Sequence, residues 1–188
     1  MRQATAGGFE LLTPRLILRD FVASDLHAVH ALRSSPQVAR FMEFAPETVE
    51  QSEEWLQEVI FHNRKVPREA YNLAIVQATE GRVIGWIGIG GSSRYPGELG
   101  FGYMLAPAYW NQGYATEAVR GIVDFGFSTL QAPRISAWCY ADNHASARVL
   151  EKAGLRLERT FEDIEPKSGI SRPCLEYTIR REAWLIPS

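Results

Sequence analysis

Residues 102–118 read Gly102-Tyr103-Met104-Leu105-Ala106-Pro107-Ala108-Tyr109-Trp110-Asn111-Gln112-Gly113-Tyr114-Ala115-Thr116-Glu117-Ala118. A β-type run ends at Leu105, a turn carries Asn111 to Gly113, and a helix opens at Tyr114 or Ala115. Backbone N–H groups in such a turn have no intrahelical partner, and the helix dipole adds partial positive charge at the same spot. The place therefore suits a phosphate or pyrophosphate. Gly113 and Ala115 are small enough to let a ligand approach the main chain. Taken alone, the same residues also make a purely structural turn.

Reading outward from this turn, the chain before it opens with a strand, Leu11 to Phe21, in which Leu12, Leu16 and Leu18 alternate with Thr13, Arg15 and Arg19. Ser24 offers an N-cap to a helix with Leu26, Val29 and Leu32 on one face, and Thr48 to Asn63 forms a second helix. Tyr71 to Gln77 and Val83 to Ile89 are β-type runs joined by Thr79-Glu80-Gly81, which is hairpin chemistry, and Glu98 to Leu105 is a third. Beyond the turn, helix continues to about Leu130, a strand spans Ile135 to Tyr140, and a short helix, Ala145 to Lys152, closes at Gly154. Strands around Leu155 to Phe161 and Pro173 to Arg180 finish the chain. The expectation is an α/β (α+β) fold in one domain over residues 1–188. Its centre is a mixed, mostly antiparallel twisted sheet of about seven strands flanked by about four helices.

The second informative segment is Asn143-His144-Ala145-Ser146-Ala147-Arg148-Val149-Leu150-Glu151-Lys152-Ala153-Gly154-Leu155. By itself, Asn143 is an N-cap and Ser146 a first-turn residue. Together, W-x-x-G-x-A-T-E-A after a strand and N-x-x-S-x-R-V-L-E-K-x-G-L resemble the GNAT acetyltransferase superfamily. The opening Thr13-Pro14-Arg15-Leu16-Ile17-Leu18-Arg19 is similar to the branch of ribosomal-protein-alanine and -serine N-acetyltransferases, the RimJ/RimL type. The resemblance spans about Leu11 to Arg180 and is specific to the superfamily but weak on substrate, because one fold serves many acceptors.

The resemblance implies that the main chain of Asn111, Gln112, Gly113, Tyr114, Ala115 and Thr116 holds the pyrophosphate of acetyl-CoA, with Trp110 packing instead of binding phosphate. It places the pantetheine arm along Gly102, Tyr103, Met104 and Leu105, on a strand expected to bulge. A free N–H there would stabilise charge on the thioester oxygen. It assigns Ser146 as the acid facing the thiol sulfur and Asn143 to the pantetheine or the acceptor. The base it implies is Glu165, with Glu162 and Asp163 as neighbours in sequence. Glu98 is a third candidate, two residues away from the strand position that is acidic in many relatives. Arg148 and Lys152 read as contacts for the adenosine phosphates or as solvated helix charges.

Composition bounds the rest. The chain has 188 residues, 46% of them hydrophobic and 22% charged, which excludes a disordered tail, a coiled coil and a collagen-like repeat. A net charge of −2 argues against non-specific nucleic-acid binding. Cys139 and Cys174 form no C-x-x-C pair and read as reduced thiols. No signal-peptide core is seen in Met1 to Gly8 and no run is long enough to span a bilayer, so the cytoplasm is the expected location. The four histidines show no metal spacing.

The expected activity is acetyl-CoA-dependent N-acetyl transfer to a primary amine, a protein N-terminal α-amine first, by a monomer or homodimer without nucleic acid, membrane or metal. A small amine (amino acid, polyamine or antibiotic) and a non-catalytic acyl-CoA-binding module are the alternatives. Glu43, Glu47, Glu50, Glu53, Glu54 and Glu58 suit an acidic groove for a cationic acceptor, or a solvated helix face. A Rossmann-type domain lacks its G-x-G-x-x-G after the first strand.

Overall fold

The computed structural model describes residues 8–92 and 94–184. The reading of the first eight residues and the domain limits 1–188 therefore fall partly outside the described residues. Among the described residues the sheet has eight strands, in the order β1-β2-β3-β4-β5-β6-β8-β7. They are β1 (Glu10–Leu12), β2 (Leu16–Asp20), β3 (Ala70–Gln77), β4 (Arg82–Gly91), β5 (Leu99–Leu105), β6 (Arg134–Tyr140), β7 (Arg156–Ile164) and β8 (Ser171–Arg180). The helices are α1 (Leu26–Arg33), α2 (Pro36–Ala39), α3 (Val49–Asn63), α4 (Tyr114–Ser128), α5 (His144–Lys152) and α6 (Arg181–Trp184). The sheet is the expected mixed, mostly antiparallel one: β5 and β6 are its parallel neighbours and the other pairs are antiparallel.

The count differs from the expected seven strands because the opening run breaks in two. Pro14 has no N–H to give a ladder, and Thr13 Oγ1 takes the Leu16 N–H at 3.1 Å, so the chain turns back between β1 and β2. Ser24 does not cap α1. Ala23–Asp25 forms a 3-10 turn instead, Asp25 Oδ2 accepting the Val22 N–H at 3.0 Å while Arg19 holds the same carboxylate. Thr48, expected as the first residue of its helix, instead caps α3, exchanging hydrogen bonds with Gln51 in a reciprocal box.

Alternation along the strands builds two apolar layers. Leu73 and Ile75 of β3 join Leu18, Ile87, Ile89 and Ile135 beneath α4, which buries Ala118, Val119, Ile122 and Val123 on them. Ala74 and Val76 face the other way, onto Val29 of α1 and Leu56 and Val59 of α3. Burying each large aliphatic side chain contributes roughly 1.5–3 kcal/mol. Gly126 lets α4 lie close to the sheet: a Cβ there would sit 2.6 Å from Ile135 Cδ1.

What shapes the functional cavity is where pairing stops. Strands β5 and β6 are in register only at Leu99–Ile135 and Gly100–Ser136, and beyond those residues they diverge. The β4–β5 ladder runs unbroken from Gly85–Leu105 to Gly91–Leu99, so the bulge expected in β5 is not formed on that side. The opening comes from the splay toward β6.

Candidate active site

The splay between β5 and β6 opens into a cavity of about 620 Å³. Four sets of residues wall it. Gly102, Tyr103, Met104, Leu105, Ala137, Trp138 and Cys139 come from the diverging strands; Asn111, Gly113, Tyr114, Ala115 and Thr116 from the turn before α4; and Gln37, Val38, Phe41, Met42, Glu43 and Phe44 from the stretch between α1 and α3. Asn143, Ser146, Arg148 and Lys152 of the α5 segment close one side. Residues far apart in sequence thus meet at one cleft.

The turn is built as its residue types dictate. Asn111 and Gly113 both take left-handed backbone, φ +59° and +81°. No side chain caps α4, which leaves its first-turn N–H groups facing the cavity. Gln112 does not line the cavity; its amide turns back to the Ala108 carbonyl at 2.8 Å. Trp110, expected to pack, donates its indole N–H to the Leu105 carbonyl at 2.8 Å, but the residue is 40% exposed and lines the cavity. The Tyr114 ring is buried and its hydroxyl accepts from Gln77 at 2.9 Å, so only its main chain is offered to a ligand.

Arg15 and Glu117 fasten this turn, and their role was not visible from either motif separately. Glu117 accepts from Thr13 Oγ1, the Arg15 N–H and Arg15 Nε, each at 2.7 Å. Arg15 also donates to the Gln112 carbonyl at 3.1 Å and lies 4.5 Å above the Tyr114 ring. The opening Thr13-Pro14-Arg15 turn is therefore part of the phosphate turn's support. Burial works to raise the Glu117 carboxyl, but the Thr13 hydroxyl and the Arg15 donors outweigh it and hold it below the ordinary range.

At the splay, Asn143 caps α5 by accepting the Ser146 N–H at 3.1 Å, which aims the first turn of α5 at β5. Ser146 Oγ lies 2.8 Å from the Tyr103 hydroxyl. Burial pushes the Tyr103 phenol far above its usual value, so it remains protonated and can donate to Ser146. The Ser146 proton is then free to be given elsewhere. Cys139, beside this pair, is pushed up to about 11, chiefly by burial, and stays a thiol at neutral pH.

The expected base lies elsewhere. Glu165 does not line the cavity; it accepts from Ser168 Oγ at 2.6 Å and Arg172 Nη1 at 2.5 Å, with Lys167 Nζ at 3.4 Å. Ser168 and then Arg172 and Lys167 hold its carboxyl below the ordinary range. A carboxylate so neutralised has little affinity for an amine proton, so the site does not place Glu165 as a base. Glu162 accepts from Ser171, Asp163 pairs with Arg94, and Glu98 pairs with Arg134 at 3.1 Å, so none of these is free either. Of the acidic set around α3, Glu43 lines the cavity, Glu47 is bound by Arg33, and Glu50, Glu53, Glu54 and Glu58 form an exposed face.

Among the described residues no group of three or more His, Cys, Asp or Glu is placed to hold a metal ion. No helix among them is long and apolar enough to cross a membrane.

Comparison with known proteins agrees with this geometry. Residues 15–156 match the model of the acetyltransferase (GNAT) domain. The chain is 32% identical over 176 residues to the uncharacterized N-acetyltransferase YnaD of Bacillus subtilis (strain 168), covering 93% of this chain and 98% of that protein. Among solved structures, a GNAT-family acetyltransferase from Bacillus anthracis superposes with a TM-score of 0.81 at 26% identity, over 93% of this chain and 99% of that one. Mycobacterium smegmatis RimJ in complex with CoA-disulfide superposes at 0.79 and 22% identity, over 95% and 88%, a likeness of fold. With an open splay, an uncapped helix start and this family match, the chain belongs to the GNAT acetyltransferases and is an acetyl-CoA-dependent N-acetyltransferase.

Proposed function

We propose that the protein acetylates a protein N-terminal α-amine, as the RimJ/RimL branch does. The observation that carries this reading is the composition of the cavity wall. Among the described residues it contains one carboxylate, Glu43, which lies on its exposed rim, and no histidine. Without a buried base, the acceptor must lose its proton largely unaided. An α-amine, titrating near 7.7–8.0, is substantially neutral at physiological pH, whereas a lysine-like amine near 10.4 is not.

In this reading acetyl-CoA supplies the acetyl group on a good leaving group. The main chain of Gly113 to Thr116 takes its pyrophosphate, and Arg148 and Lys152, both lining the cavity, lie within reach of its remaining phosphates. The strand edge from Tyr103 to Leu105 orients the pantetheine arm, which brings the reacting atoms within about 3 Å of one another. Ser146, fed by the Tyr103 hydroxyl, gives a proton to the departing sulfur. Asn143 holds Ser146 in place. Buried and unpaired, Cys139 and Cys174 suit a reducing compartment, and we place the protein in the cytoplasm.

A small-amine acceptor is the second reading, favoured by the aromatic end of the cavity, where Phe41, Phe44, Trp55 and Trp86 gather. Release of thiol from acetyl-CoA is the test, run against peptides with free or blocked N-termini and against small amines. Turnover on free but not blocked peptides is expected. Turnover on small amines alone overturns the peptide reading and leaves the acetyl transfer.

A further inference from the structure

The tip of the β7–β8 hairpin reaches the far wall of the cavity through one side chain. Lys167 Nζ donates to the carbonyls of Ala39, Arg40 and Met42, at 2.6, 3.2 and 3.1 Å. An ammonium has three protons, and here all three go to one short stretch of backbone at the end of α2. That stretch leads straight into Phe41, Met42, Glu43 and Phe44, which line the same cavity as the splayed strands.

Lys167 is itself held. Glu165 lies 3.4 Å from its nitrogen, and the hairpin tip is set by the Glu165 carbonyl accepting from Ser168 and Gly169, at 3.2 and 2.8 Å. The same carboxylate binds Arg172, whose guanidinium stacks 3.8 Å over Tyr140 and donates to Asp142 Oδ1 at 2.8 Å. Asp142 immediately precedes the cap Asn143. One carboxylate thus joins the acceptor wall to the segment that carries Ser146.

We propose that Lys167 and Glu165 are positioning residues for the amine acceptor: a clasp that fixes the 39–44 wall at a set distance from Ser146. The clasp touches neither the acetyl donor's turn nor the reacting atoms. It rests on the amine-transfer reading above and deepens it, because it gives the Glu165 carboxylate work other than proton transfer. Carbonyl oxygens at the end of a helix turn attract a cation, and a wall tethered in this way loses little freedom when the acceptor binds.

The experiment compares Lys167→Met, Lys167→Arg and Glu165→Gln with the wild-type protein. Steady-state kinetics on a free N-terminal peptide are paired with backbone hydrogen exchange of residues 39–44 in the protein alone. Lys167→Met should raise the peptide KM about tenfold while kcat and the acetyl-CoA KM stay within about twofold, the signature of lost acceptor binding. Exchange at 39–44 should quicken, and Lys167→Arg, which still donates to carbonyls, should restore most of both. Glu165→Gln should follow Lys167→Met more weakly and leave the rising limb of the pH–rate profile in place. Loss of that limb with a fall in kcat of about 10²-fold or more would make Glu165 the base and overturn the clasp. Unchanged KM and unchanged exchange in Lys167→Met would overturn it as well. If the wild-type protein turns over no amine at all, the transfer reading falls by itself, and the exchange arm still decides the clasp.

Discussion

Ser146 matters for what lies on each side of it. Its N–H is held by Asn143 at 3.1 Å, and its hydroxyl meets Tyr103 at 2.8 Å. A phenol kept protonated by burial can donate to Ser146 Oγ, and in that arrangement Ser146 keeps its own proton for a thiolate on the other side. Ser146→Ala should therefore lower kcat/KM by about 10²–10⁴-fold, the range for a general acid, with acetyl-CoA stabilising the variant as it does the wild type. A variant within twofold of wild type in a thiol-release assay would retire the acid role. At this scale the sequence was legible where local geometry follows a local motif, as with the Asn143 cap on the Ser146 N–H and the left-handed Gly113. It was not legible where partners are distant. Glu117 meets Arg15 across 102 residues of chain, and nothing in either motif names the other. The resemblance pointed to Glu165 as a base, and its neutralising partners, Arg172 and Lys167, are recognisable only once the hairpin has folded.

Elements were easier to read than side-chain partners, since periodicity is local. Helix α3 begins at Val49, one residue inside the expected Thr48 start, and α4 begins at Tyr114, the earlier of its two expected starts. The breaks were harder. Pro14 turned one expected strand into two, and the separation of β5 from β6 leaves no mark in either strand's composition because it is a property of their pairing. Helix α5 shows how an element carries function. Its N-terminus is capped by a single side chain, so Asn143→Ala should cost about 1 kcal/mol. For a chain of this size that lowers Tm by about 2–4 °C. Because the same bond places Ser146, kcat/KM should fall further than so mild a loss of stability explains. Thermal unfolding beside kinetics separates the two: a lower Tm with wild-type turnover would reduce Asn143 to a cap alone.

For the whole molecule, three carboxylates tie distant parts of the chain together and are held in their charged form. The Thr13 hydroxyl and Arg15 donors outweigh burial at Glu117, the Thr178 hydroxyl and then Arg134 act on Glu158, and the Ser168 hydroxyl and then Arg172 act on Glu165. Each carboxyl titrates below its ordinary 4.5 in the folded protein. A lowered native value means that the unfolded chain binds protons first as the pH drops. The stability these groups confer is thus fully present above the unfolded value near 4.5 and is lost as the pH falls below it, through their lowered native values. Their arginine partners stay charged throughout, so the carboxylates set the limb. Measured Tm should fall most steeply below about pH 4.5. Glu117 gives the sharpest check, because it fastens the opening hairpin to the start of α4 and its side chain is 13% exposed. Glu117→Gln keeps an oxygen acceptor but cannot titrate. It should melt below wild type at pH 7, where the charged contacts to Arg15 are lost. Its Tm should then fall less steeply on acidification, so that the two curves converge as the pH drops below 4.5 and the wild-type carboxylate is protonated through its lowered native value. Parallel curves across that range would mean that Glu117 is no more strained by acid than an exposed carboxylate, and that the hairpin is held to α4 by the Thr13 and Arg15 geometry without help from the charge.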